Sequence, residues 1–364
     1  MNKQLSIIYT FVISLLLITS CTKASQQDLN IEKDNVEIAT EGQTDIKILS
    51  GSGQYSVESN NTGVNTIISG DLIVIEGKTN GEYTLTIKDI KTQQTKQINV
   101  SVVAPYAEIH TLLPKGSAME FLAIPYNQDA WVDINGNEKK DADEEIKNNR
   151  LPKKFTLDQT KFKIYGNIKE LYFIPQEISY IDVSKLPALV SLQCEGNKAL
   201  SSIDISSNMK LKSAYLAGNG LISLLLPRRD NNVLENITCP QNQIEALDPS
   251  HCPNLYWLEC NKNQLTTLDL SKNTELMTLF VQYNNLTSLD VSNCFSTIEI
   301  TKTDETNGET YKEQVGLKMF FSYKNNLKCI KISEKQKERI ERDKYIENGL
   351  WKKDDATVLS TEGC

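Results

Sequence analysis

Apolar residues recur through the second half of the chain in a fixed order that is neither helical nor strictly alternating. The order is clearest at Leu255, Leu258, Cys260, Leu265, Leu268 and Leu270, with Asn263 and Asp269 between them. It returns at Leu276, Leu279, Val281, Leu286, Leu289 and Val291, with Asn284 and Asp290 in the same places. The first apolar position falls at Ile168, Leu189, Leu211, Leu234, Leu255, Leu276 and Leu317. Units of 21–23 residues result, the last step being lengthened by an insertion at 297–316. Such a period predicts stacked coils, each burying its inner face against its neighbours.

Ahead of the repeats the pattern changes to period two. Tyr83, Leu85 and Ile87 alternate with polar residues, as do Ile98, Val100 and Val102, which predicts half-buried strands. Turn residues punctuate this stretch at Gly51–Gly53, Asn60–Asn61, Ser69–Asp71 and Asn80–Gly81. Residues 31–103 therefore read as a β-sandwich of the Ig-like kind, either a spacer or a ligand module. Residues 104–166 read as a β-rich cap, with strands expected near Ala118–Ile124 and Lys161–Tyr165. Repeats follow over 167–333, and 334–364 forms a C-terminal cap. Ser333 and Gln336 spell a capping box, Gly349 a helix stop, and Ile340 and Ile346 a buried side. The fold class is mainly β, with about seven repeat coils.

The repeat assigns roles. Apolar positions 1, 4, 6, 11, 14 and 16 face inward. Asn stands at position 9 (197, 219, 242, 263, 284, 325), where a buried amide can satisfy turn backbone of adjacent coils. Asp at position 15 (182, 204, 248, 269, 290) suits local backbone bonding, so these are scaffold carboxylates rather than catalytic ones. Positions 3, 5, 7 and 8 are expected to point out from a concave sheet. There the chain places Tyr172, Tyr215, Trp257, Phe280, Tyr283, Phe321 and Tyr323, with the amides Asn261 and Gln282 nearby. Clustered aromatics are the residue types that dominate binding hot spots. The insertion or the cap folding over them is the competing expectation.

The formal charge of −8 and pI near 5.1 lack the basic face that nucleic acid needs. Between the expected strands of the cap, Asp133, Asn135, Asn137, Asp141 and Glu144 fall at positions 1, 3, 5, 9 and 12 of a calcium-type loop. Glu138 stands where that loop expects Gly, so calcium and a plain solvated hairpin tip are both open. Cys194, Cys239 and Cys260 occupy inward position 6, and Cys252 and Cys294 position 19, as small apolar residues. Cys329 and Cys364 bracket the cap and are expected to bridge. The chain carries no G-x-S-x-G, H-E-x-x-H or P-loop phrase, so an enzyme is not expected.

At the N-terminus, Lys3 precedes an apolar run from Leu5 to Ile18 that is short for a membrane span. Residues 1–20 read as a signal peptide and 21–30 as a polar leader. Ile18-Thr19-Ser20-Cys21 resembles a bacterial lipobox, which implies lipidation of Cys21, and Thr22 implies outer-membrane sorting. The phrase at 255–271, with the acidic loop and the Cys329…Cys364 ending, resembles the leucine-rich-repeat surface lipoproteins of Bacteroidetes, related to internalin-like adhesins. That resemblance implies a lipid-anchored, cell-surface binding or adhesion module. A protein ligand, a glycan ligand and an accessory role in an envelope complex are its three possible uses.

Overall fold

The computed structural model describes residues 28–364 except 60, 128 and 304–309, with backbone alone for 296–315. The lipobox with Cys21 lies outside the described residues. The protein is mainly β, with one α-helix, Glu334–Arg342, among the described residues. No helix among them is long and apolar enough to cross a membrane.

Two four-stranded sheets enclose the first core. One runs Asn30–Ile31, Gln43–Ser50, Leu72–Gly77, Val64–Ser69, and the other Asn35–Ala39, Thr95–Val103, Gly81–Asp89, Tyr55–Ser59. The alternating residues fill it: Leu85, Ile87, Ile98 and Val100 are fully buried against Ile46, Ile73 and Ile75 of the opposite sheet.

A ten-stranded sheet organises the rest. Lys153–Thr156 and Ala118–Pro125 lead antiparallel into Ile168–Phe173. From there every neighbour is parallel, first one repeat later at each step, Ser191–Cys194, Ser213–Tyr215, Asn236–Thr238, Trp257–Glu259, Thr278–Phe280 and Met319–Phe321, and last Trp351–Lys352 of the C-terminal cap. The inward residues form one continuous core from Ala107 to Trp351. A four-stranded sheet with Trp131–Asp133, Lys161–Tyr165, Tyr106–Thr111 and Ile178–Asp182 closes its N-terminal end.

The position-9 asparagines tie the rungs together. Asn263 Nδ2 donates to the carbonyls of Cys239 and Cys260, each at 3.0 Å, while its Oδ1 accepts from Ile244 N at 3.0 Å. Asn242, Asn284 and Asn325 repeat the pattern through Leu221, Leu265 and Leu286. Each amide thus spans two coils and satisfies buried backbone on both. A tight reversal aims it inward. Position 8, just before it, has φ between 56° and 73° at Gly196, Gly218, Gln241, Lys262, Tyr283 and Lys324. Side chains other than Gly pay roughly 1–2 kcal/mol for that conformation, so the hydrogen-bonded column must hold them there. On the outer side, Asp204 and Asp269 Oδ1 accept from the N–H two residues on, both at 2.8 Å, as local turns.

A second amide column stands near position 19. Asn208 Nδ2 donates to Val183 O and Leu186 O, and Asn273 Nδ2 to Pro249 O and Cys252 O, at 2.8–3.0 Å. Gln336 of the helix continues it, donating to Val291 O at 2.7 Å, while its Oε1 accepts from Ser333 N in the capping box. Ile340 is buried as expected, but the helix ends at Arg342 and Ile346 is 47% exposed. Lys344, at φ 51°, turns the chain, and Tyr345 takes the inward place instead. Cys329 and Cys364 are disulfide-bonded, with Cα atoms 5.8 Å apart, and close the end of the chain onto the last coil.

The sandwich is docked against the repeats through polar contacts. Arg229, in one of the longer repeats, donates from Nη1 to Gln43 Oε1 at 2.8 Å and lies 3.4 Å from Asp45 Oδ2. Tyr106 Oη donates to Glu37 at 2.9 Å, and Lys185 Nζ lies 3.5 Å from the same carboxylate. A cavity of about 500 Å³ opens beside Arg229.

Asn263→Ala removes the side-chain hydrogen bonds to Cys239, Cys260 and Asn261 and orphans the Ile244 N–H, and is expected to cost about 3 kcal/mol in urea unfolding. Asp269→Ala, at an exposed turn, is expected to cost about 1 kcal/mol or less. Equal losses would mean the asparagine column is not the structural tie.

Candidate binding face

The outer surface of the ten-stranded sheet is built from positions 3 and 5. In register, one row runs Tyr172, Gln193, Tyr215, Thr238, Glu259, Phe280, Phe321 and Lys352. Neighbouring side chains in such a row stand about 4.8 Å apart, close enough for rings to touch. Phe280 and Phe321 stack at 4.7 Å between centroids with an interplanar angle of 28°. Trp257 meets Phe280 edge-on at 5.8 Å, and Tyr323 meets Tyr283 edge-on at 5.5 Å and Phe321 at 6.4 Å. Lys352 Nζ sits 4.9 Å above the Phe321 ring and ends the row with a cation–π contact.

Five of the seven aromatics named from the sequence are thus one continuous ladder: Trp257, Phe280, Phe321, Tyr323 and Tyr283. Tyr172 and Tyr215 share the row but not the ladder. Tyr172 Oη instead donates to Glu170 at 2.6 Å. The ladder residues are half-buried, with Tyr283 45% exposed. The insertion's strands, Phe295–Thr303 and Thr310–Gly316, pair with each other as a separate two-stranded sheet. The base of that hairpin lies against the cap helix, where Lys335 Nζ is 5.6 Å from the Phe295 ring.

Position 7 departs from expectation in three consecutive coils. Pro240, Asn261 and Gln282 are buried there, the two amides only 7% and 9% exposed, whereas Glu195 and Tyr323 at the same position stay half-buried. Those amides therefore do not stand beside the ladder as open hydrogen-bonding groups. Glu259, also in the row, was not singled out by its sequence position. Burial pushes its carboxyl up, a hydrogen bond from Trp257 pulls it down, and the charge of Glu195 raises it further, leaving it above the ordinary value.

The acidic loop is folded on itself. Asp133 Oδ1 accepts from Gly136 N and Asn137 N at 2.8 and 3.1 Å, and Oδ2 from Glu138 N at 3.1 Å. Glu144 accepts from Ile134 N at 2.8 Å and Asp141 N at 2.9 Å. Asn135 and Asn137 turn their Nδ2 groups onto Asp141 Oδ2 at 2.7 and 2.9 Å. Glu138 adopts φ 57°, so the turn is made without Gly. Asp133 and Glu144 are 2% and 1% exposed. Among the described residues, no group of three or more His, Cys, Asp or Glu is gathered as a metal cluster.

The five free cysteines are all buried, and burial pushes the thiols of Cys194, Cys239, Cys252 and Cys294 up to about 12. Cys260 is raised for the same reason. A thiol held that high has almost no thiolate at neutral pH. The position-15 carboxylates are occupied by their own turns.

No family model matches the chain, and no curated protein matches it. Among solved structures, the functional domain of InlJ from Listeria monocytogenes, described as including a cysteine ladder, is similar at 22% identity and a TM-score of 0.31. The match covers 46% of this chain and 40% of that one, so the chain spans less than half the length of that relative.

Since all five thiols are buried and protonated, a thiol reagent at pH 8 is expected to label none of them in the folded protein. All five should react in denaturant. Rapid native labelling of Cys239 or Cys260 would show that the inner column is open to solvent.

Proposed function

We propose that the chain is a leucine-rich-repeat solenoid of about seven coils that serves as a cell-surface binding module, with the concave face as its working surface. In this reading the Ig-like sandwich and the β-rich cap carry the solenoid, and lipidated Cys21 anchors it to the outer membrane. The ligand is a protein. The observation carrying this reading is the ladder of Trp257, Phe280, Phe321, Tyr323 and Tyr283, half-open at outward positions where the repeat itself demands no aromatic residue. Large aromatics contribute nothing to the inner core from there, whereas they dominate interface energetics. Burial of Asn261 and Gln282 removes the open amides that a glycan site would draw upon and favours protein over glycan.

The loop at 133–144 is proposed as a calcium site on the residues rather than on a formed cluster. Asp133 and Glu144 are buried carboxylates held by backbone N–H groups, and a cation between them would offset the cost of burying both charges. Asp141, with Asn135 and Asn137 turned to present their oxygens, would complete an oxygen set. Calcium supplies no reaction there; it would stiffen the cap that begins the array.

Trp257→Ala and Phe280→Ala are each expected to lower attachment of purified protein to its native surface at least tenfold, about 1.4 kcal/mol, with the urea midpoint little changed. Attachment that is indifferent to both substitutions would remove the concave face from the account. Calcium added to EDTA-stripped protein is expected to raise the melting temperature, and Asp133→Ala to cancel the rise. A flat calcium titration would dispose of the metal site.

A further inference from the structure

The glutamates on and beside the concave face divide into two kinds. Glu120 pairs with Lys154 at 3.2 Å, Glu170 with Lys169 at 3.7 Å, and Glu235 with Lys212 at 2.9 Å. Glu195 and Glu259 have no such basic partner among the described residues. Glu195 Oε2 accepts only a neutral amide hydrogen bond, from Gln193 Nε2 at 2.8 Å. Both are half-buried, on strands three rungs apart, and the charge of Glu195 adds to the rise of the Glu259 carboxyl that burial chiefly causes. Two like charges partly withdrawn from water cost free energy unless a cation reaches them. Glu259 also adjoins the ladder directly, in register with Phe280 and, one rung further, Phe321.

We propose that this face takes an extended cationic polypeptide, its Lys or Arg side chains against Glu195 and Glu259 and its apolar side chains on Trp257, Phe280 and Phe321. The inference rests on the reading of the concave face as the binding surface and names the chemistry of its partner. The dimensions suit a strand. Five rungs separate the Gln193 row position from Phe321, about 24 Å at 4.8 Å per rung, which an extended segment covers with about seven residues. A neutral sugar would leave both carboxylates uncompensated. An anionic partner would meet them and the net charge of −8 as repulsion.

The test pans displayed short random peptides over the whole folded chain and measures the affinity of the enriched peptides. Their binding is compared on wild type, on Trp257→Ala, and on the double variant Glu195→Gln with Glu259→Gln, which keeps side-chain shape. The expected peptides carry Lys or Arg beside an aromatic or branched apolar residue. Their affinity falls with salt, drops about tenfold or more on the glutamine variant, and drops on Trp257→Ala. Peptides that need Trp257 but lack basic residues, or ignore the glutamine variant, overturn the cationic partner while leaving the face standing. If no enriched peptide depends on Trp257, or none is enriched, the peptide-binding face falls as well. Urea midpoints of the three proteins separate a lost contact from a lost fold.

Discussion

Each 21–23-residue unit between successive parallel strands is too short to enclose a core, and its strand too short to hold a sheet. The constraint that makes the array possible is the disposal of buried backbone at the turn between the sheet and the outer side. There the position-9 asparagine donates to carbonyls of two coils and accepts an N–H from the earlier one, as Asn263 does with Cys239, Cys260 and Ile244. Without it, turn amides would be dry and unpaired at every rung. The left-handed residue before it, from Gly196 to Lys324, is the conformational cost of aiming that amide inward.

Once the inner face and turn are fixed in this way, the outward residues of the sheet are released from structural duty. The N-terminal rungs use them for polar side chains and tyrosines, the C-terminal rungs for a ring ladder ended by Lys352. Glu259 marks the border between the two. The ends are closed by different means: a four-stranded sheet at the start, and at the finish a helix whose Gln336 supplies the amide a further repeat would have provided.

Residues that obey the repeat were legible in the sequence, because a position recurring every 21–23 residues shows its role by recurrence. The asparagine and aspartate roles and the buried cysteines belong here. So does the alternation of the sandwich strands, with Leu85 and Ile98 fully buried. What escaped was set by tertiary geometry. Position 7 buries Asn261 and Gln282 but leaves Glu195 and Tyr323 half-buried, a difference with no compositional mark. The second amide column is shared among Asn208, Asn273 and Gln336, which stand about three repeats apart with Cys252 and Cys294 at places between them. Arg229 meets Gln43 across 186 residues of sequence. Glu259 draws notice only once its rung is seen to lie between a polar surface and Phe280.

Native-state hydrogen exchange of the N–H groups of Leu221, Ile244, Leu265 and Leu286 tests the central claim most directly, because each is bonded to the asparagine of the next coil. The account predicts that all four exchange only through unfolding of the array, with a common free energy matching that of global unfolding. Exchange at loop-like rates, while the neighbouring strand amides stay protected, would contradict it.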